Sequence, residues 1–248
     1  MKKILTVALV AFISFAQAQH QETRKISKIS GVSVATGIQA KFIKSSRNEV
    51  VVDVSRADIL PKIETNVKNG DLRIRVKPNS QVTNSGTLKV TIYSNSVINS
   101  INLSSAGSLE ILEPIDVTNF SVDISSAGKL KTGKVSAGSS NISLSSSGKM
   151  TGELKSEKLQ ISASSAGEVS LSGRSKSLNV SISSSGKALL DNFETDELVV
   201  NGSSGSKMKV KVNNSITANV SSGSKVIYSG SPSNTKINHS SGGSVSKD

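Results

Sequence analysis

The pair Ser104-Ser105 returns as Ser125-Ser126, Ser145-Ser146, Ser164-Ser165, Ser183-Ser184, Ser203-Ser204, Ser221-Ser222 and Ser240-Ser241, at steps of 18 to 21 residues that centre on 19. A glycine follows each pair: Gly107, Gly128, Gly148, Gly167 and Gly186 at the fourth place of the motif, then Gly205, Gly223 and Gly242 at the third. Self-similarity at a fixed period of this length marks a chain built from stacked units, none of which closes a core alone. Before each serine pair the residues alternate, as in Ile101-Asn102-Leu103, Val122-Asp123-Ile124, Ile142-Ser143-Leu144 and Val180-Ser181-Ile182. After the glycine a second alternating run follows, as in Leu109-Glu110-Ile111, Val169-Ser170-Leu171 and Met208-Lys209-Val210. Period-two alternation is the mark of a strand buried on one face. Within the repeat no tight Asn-Gly or Asp-Gly hairpins join the runs as an antiparallel meander needs. Stacking equivalent strands in parallel register instead buries one Val/Ile/Leu column and pairs every coil with the next. The expected fold is all β: a right-handed parallel β-helix, or β-solenoid, with coils of about 19 residues.

In that frame Ile124, Leu144, Ile182 and Val220 point inward one above another. The serines need no ligand to explain them: glycine is expected at a positive-φ bend, and stacked hydroxyls are expected to bond along the corner. No general base recurs beside them, so they are not read as nucleophiles. His239 stands at the inward frame position before Ser240-Ser241, where a polar residue suits an end coil.

Three segments are expected. Residues 1–18 read as a signal peptide: a basic start at Lys2-Lys3, an apolar run from Ile4 to Phe15 and the small-x-small site Ala16-Gln17-Ala18. Residues 19–86 are expected to be a strand-rich N-terminal part of the solenoid, and 87–248 the regular repeat. The polar loop from Pro78 to Gly86 marks the border. The runs Val50-Val51-Val52-Asp53-Val54, Leu72-Arg73-Ile74-Arg75-Val76 and Leu88-Lys89-Val90-Thr91-Ile92-Tyr93 are strand candidates in or beside the first part. No stretch after the leader is long and apolar enough to span a bilayer, so the expectation is an exported protein of the periplasm, outer-membrane surface or extracellular space.

Composition removes several chemistries. The chain has no Cys, and two His lie near its ends, so disulfides, thiolate metal sites and cysteine nucleophiles are excluded and a His-based triad has little material. The formal charge is +12, or +10 without Lys2 and Lys3. Much of it falls in one place. The residues just after the corner are Ser108, Lys129, Lys149, Glu168, Lys187, Lys207 and Lys225. Stacking turns them into a column, and Lys129, Lys149, Lys187, Lys207 and Lys225 are the candidate ligand-binding residues, for an anionic glycan or another cell-envelope polymer. The competing reading is a solvated face whose lysines keep strand edges apart. Few aromatic rings are available to stack on bases, and no specific nucleic-acid partner is expected. Asp191, Glu194, Asp196 and Glu197 crowd one turn, which offers oxygen ligands for a cation but in no calcium-loop spacing; an ordinary acidic turn is the alternative.

The block from Ile63 through Asn69-Gly70-Asp71-Leu72-Arg73-Ile74, then Leu88-Lys89-Val90-Thr91-Ile92-Tyr93 and Ile98-Asn99-Ser100-Ile101-Asn102-Leu103-Ser104-Ser105-Ala106-Gly107, resembles the exported bacterial family called the putative auto-transporter adhesin head GIN domain. The opening Gly31-Val32-Ser33-Val34 with Gly37-Ile38 shares the likeness, which spans about residues 27 to 245. One departure is Ser94-Asn95, where the family often has a proline. The resemblance implies a β-helix with a surface or adhesion role and carries no catalytic motif and no cofactor. The reading is therefore a non-enzymatic exported adhesin, scaffold or envelope ligand-binding module. The alternative is a polysaccharide lyase or hydrolase on the same fold, although no insertion longer than two residues interrupts the period to form a cleft.

Overall fold

The computed structural model describes residues 20–83 and 86–248, so the expected signal peptide, residues 1–18, lies outside the described residues. The chain is a β-solenoid of about seven turns. Its regular part is built from β10 (Ile115–Ile124), β11 (Lys129–Leu144), β12 (Lys149–Ala163), β13 (Glu168–Ile182), β14 (Lys187–Gly202) and β15 (Lys207–Val220), each parallel to the next. Each long strand runs from one Ser-Ser corner to the next, bending on the way. It therefore supplies a run after the corner, a middle run and a run before the next corner. The unequal steps of the repeat are absorbed at register shifts between Lys131 and Lys134, Ser170 and Ser172, and Leu190 and Glu194.

Alternation sets the core as expected. Ile124, Leu144, Ala163, Ile182 and Val220 are all buried at the same frame position. A second column, Leu130, Met150, Val169, Ala188, Met208 and Val226, lies just after the corner. Phe120 and Phe193 are the two largest fully buried side chains. Phe193 stacks in register with Gly173, which takes φ 121° and lies so close to the preceding coil that a Cβ would be 2.1 Å from the Leu154 carbonyl oxygen. Where the middle run turns small and polar, the buried hydroxyls satisfy one another: Ser175 Oγ donates to Thr195 Oγ1 at 3.0 Å, and Thr195 Oγ1 donates to the Glu197 carbonyl at 3.0 Å.

The corners differ from the sequence expectation in two ways. The left-handed residues are the second and third places, mostly not glycine: Ser126 has φ 47° and Ala127 φ 61°. The fourth-place glycines do not have positive φ. They are required by close approach, since a Cβ on Gly128 would lie 2.9 Å from the Leu103 carbonyl oxygen of the preceding coil. Gly205 and Gly223 at the third place do take positive φ, both 70°, and the fourth place then carries the buried Ser206 and Ser224. The corner thus keeps four residues throughout. Room for these serines comes from Gly202, the small member of the inward column: a Cβ there would meet Ser224 Oγ at 2.7 Å. The corner ladder is mainly backbone to backbone, and hydroxyls bond along it where the fourth-place Ser206 and Ser224 meet. The first-place amide donates to the coil before, as Ser125 does to Leu103, and the third-place amide to the coil after, as Ala127 does to Ser146.

The N-terminal end is arranged differently. β2 (Gly31–Val34) and β3 (Gln39–Lys44) form a coil around the corner Ala35-Thr36-Gly37-Ile38. On one side they pair in parallel with β8 (Ser100–Leu103) and β9 (Ser108–Ile111). On the other they pair in parallel with β6 (Asp71–Val76) and β7 (Leu88–Ser94). Beyond these the pairing turns antiparallel. β1 (His20–Lys25) pairs β4 (Glu49–Val54), which pairs β7, and β5 (Ile63–Lys68) pairs β6 through the Asn69-Gly70 turn. Arg24 fastens this cap, donating to the carbonyls of Ile63 at 2.7 Å and Leu60 at 2.9 Å. At the other end β16 (Lys225–Ser229) pairs β18 (Ser244–Lys247), and β15 pairs β17 (Asn234–His239). His239 sits in register with Val220 and is exposed, as its place on the last coil dictates. No helix among the described residues is long and apolar enough to cross a membrane.

Candidate ligand-binding face

The column after the corner is continuous. Ser108 is in register with Lys129, Lys129 with Lys149, Lys149 with Glu168, Glu168 with Lys187, Lys187 with Lys207, and Lys207 with Lys225, which pairs Ser244. Alternation places each of them opposite a buried neighbour such as Leu130 or Met150, so all five lysines are exposed. The coil spacing sets the Cα atoms of lysines on adjacent coils about 4.8 Å apart along the rod, and those of Lys149 and Lys187, on either side of Glu168, about twice that. Like charges this close raise the local potential and draw counterions, which an arriving polyanion displaces. Glu168 interrupts the column and pairs Lys187 at 3.7 Å. Such an exposed pair holds its partner weakly, so Lys187 remains available to a ligand.

Two places outward along the same strands a second column runs beside the first. Here Lys131 is in register with Glu110 and lies 3.0 Å from it, while Lys41 reaches the same carboxylate at 3.9 Å. Farther along, Lys209 lies between Asp248 at 2.9 Å and Asp191 at 3.3 Å. The hydrogen bond that Lys209 donates to Asp248, and then that to Asp191, hold its pKa above the ordinary lysine range.

The four carboxylates of the crowded turn do not converge. Asp191 pairs Lys209, Glu194 pairs Lys211 at 3.3 Å, and Asp196 accepts from Asn213 Nδ2 at 3.2 Å, all on the next coil, while Glu197 is exposed. Among the described residues no three carboxylate or histidine groups gather as a cation site would need. The middle runs also gather a charged patch, apart from the column after the corner. Lys155 and Arg174 are in register there, and Lys176 pairs Glu157 at 3.1 Å. With Glu194 and Asp196 they line a depression of about 590 Å³. The constant offset between β12 and β13 aligns Lys155 with Arg174 directly, whereas the register shift between Ser170 and Ser172 moves Glu194 into line with Arg174 one place later than a simple count gives.

Comparison with known proteins agrees with the architecture. A putative adhesin from Parabacteroides merdae is similar with a TM-score of 0.80 at 15% identity, covering 93% of this chain and 96% of that one. A putative adhesin from Parabacteroides distasonis is similar with a TM-score of 0.76 at 17% identity, covering 94% and 98%. A putative lipid binding protein from the same species has a TM-score of 0.68 at 18% identity, covering 93% and 96%. At these identities the likeness speaks for the fold. A search of the curated proteins finds no match. The model of the family described as putative auto-transporter adhesin, head GIN domain, matches residues 29–232, from the strand that opens the first coil to the turn before the last. The chain belongs to that family.

Proposed function

We propose that this protein is a non-enzymatic, exported envelope module that binds an anionic glycan or similar polymer along its lysine face. The observation that carries the reading is the unbroken register from Lys129 through Lys225, which sets four further basic side chains in line with the first at coil spacing. A flexible polyanion lying along the rod meets several of them at once, and each contact adds its own counterion release. The names of the relatives, adhesins and one lipid-binding protein, support an envelope ligand. The signal-like N-terminus supports export.

The test uses the C-terminal half of the column. Lys187→Gln, Lys207→Gln and Lys225→Gln are combined, and retention on immobilised heparin is followed as a function of salt. The parent is expected to show a steep fall of log affinity with log salt. The triple variant is expected to lose about one unit of slope for each contact removed. All three positions are exposed, so the melting temperature is expected to stay close to that of the parent. Equal slopes for parent and variant would refute the lysine face as the binding surface.

A further inference from the structure

The lysine face changes character at its N-terminal end, where the strands lie out of chain order. β7, β3, β9, β11 and β12 are neighbours in that sequence, so the first column continues backward from Lys149 and Lys129 to Ser108, Gln39 and Lys89. Two strands with short or neutral side chains therefore separate lysines at either end. Three strand steps of about 4.8 Å set the Lys89 and Lys129 backbones about 14 Å apart. Between them is a depression of about 650 Å³ lined by Gln39 and Ser108 together with Lys89, Lys129 and Lys149.

The charges are sorted by partner. Glu110 draws Lys41 and Lys131 toward itself. Lys89, Lys129 and Lys149 have no carboxylate within ion-pair distance among the described residues, and all are exposed. The saddle thus has unpaired ammonium groups at both ends and hydrogen-bonding groups of either polarity, an amide and a hydroxyl, between. A simple phosphate would meet one end only. A polymer with uniformly spaced charge would place some of its anions over the neutral middle.

Resting on the reading of the lysine face given above, we infer that this saddle binds a disaccharide carrying one phosphate or sulfate at each end. Lys89 takes one anion, Lys129 and Lys149 the other, and the sugar hydroxyls meet Gln39 and Ser108. Such a group occurs free or as the headgroup of a glycolipid, and both sources present the same chemistry.

The experiment is titration calorimetry of the protein with a glucosamine disaccharide phosphorylated at both ends, the same sugar phosphorylated at one end, and the unphosphorylated sugar. The doubly phosphorylated form is expected to bind at least tenfold more tightly than the singly phosphorylated one. Lys89→Gln is expected to erase that preference, leaving the two forms equal. Glu110→Gln, which frees Lys41 and Lys131, is expected to tighten binding of the doubly phosphorylated form. Equal binding of both forms by the parent, or an unchanged preference in Lys89→Gln, would overturn the assignment. The combined Lys187, Lys207 and Lys225 variant separates the two ideas. If it loses heparin retention while the parent shows no two-phosphate preference, the saddle fails and the lysine face stands; if heparin retention is unmoved while the preference is present, the polymer reading fails. Vesicles of neutral lipid, with and without a glycolipid bearing the doubly phosphorylated headgroup, then identify the source. Sedimentation with the glycolipid vesicles assigns the site to a headgroup, and binding of the soluble sugar alone assigns it to a free glycan.

Discussion

Leu144→Asp is expected to destabilise the protein by about 4–5 kcal/mol or to prevent its folding, measured by chemical denaturation against the parent. Leu144 is 1% exposed and stacks in register between Ile124 and Ala163 at the centre of the solenoid. A carboxylate there loses its water and finds only aliphatic neighbours in the column above and below. Because each coil rests on its neighbours, damage at this level also separates the two halves of the stack. Asn141→Asp, three residues earlier on the same strand and exposed, is the control and is expected to leave the midpoint unchanged. A parent-like midpoint for Leu144→Asp would mean that this strand does not bury the face the register assigns to it.

How much of this was legible before any coordinates depended on which interactions set each feature. The coil period, the inward column and the lysine column all follow from one rule, a side-chain period of two carried through a constant repeat, and Lys129, Lys149, Lys187, Lys207 and Lys225 stack as that rule requires. The insertion of β2 and β3 between β6-β7 and β8-β9 was not legible, because strand order at that end is decided by long-range pairing that local alternation does not encode. One local signal of the antiparallel cap was present: Asn69-Gly70 between two alternating runs is the two-residue hairpin pair, and both residues have positive φ, 52° and 79°. The saddle depended on the same long-range order, since Lys89 joins the column only through β3. In the charged patch of the middle runs, the alignment of Glu194 with Arg174 was obscured by the register shift between Ser170 and Ser172. Gly202 interrupts the apolar column, and the buried Ser206 and Ser224 account for the volume it leaves.

The corner separates two roles that a glycine can play, and neighbouring places should therefore respond to substitution with opposite sign. Ala127, at the third place, is exposed and has φ 61°, a conformation in which its Cβ crowds the following carbonyl at a cost of about 1–2 kcal/mol. Ala127→Gly removes that cost. The greater freedom of glycine in the unfolded chain offsets part of the gain, leaving a net stabilisation of about 0.5–1 kcal/mol. Gly186, at the fourth place of its corner, is buried and not in the left-handed region, but a Cβ on it would lie 2.3 Å from the Ala163 carbonyl oxygen and 2.7 Å from its carbon. Those atoms are backbone, and the same carbonyl accepts the 3.0 Å hydrogen bond from the Ser183 amide that holds the two coils together. Relief requires the coils to move apart and stretch that bond, so Gly186→Ala is expected to destabilise by about 2–3 kcal/mol, at the level of an overpacked core. Denaturation midpoints of the two single variants should move in opposite directions from the parent. A parent-like or raised midpoint for Gly186→Ala would show that the close approach of successive coils does not decide the fourth place, and a lowered midpoint for Ala127→Gly would show that the left-handed third place carries no strain.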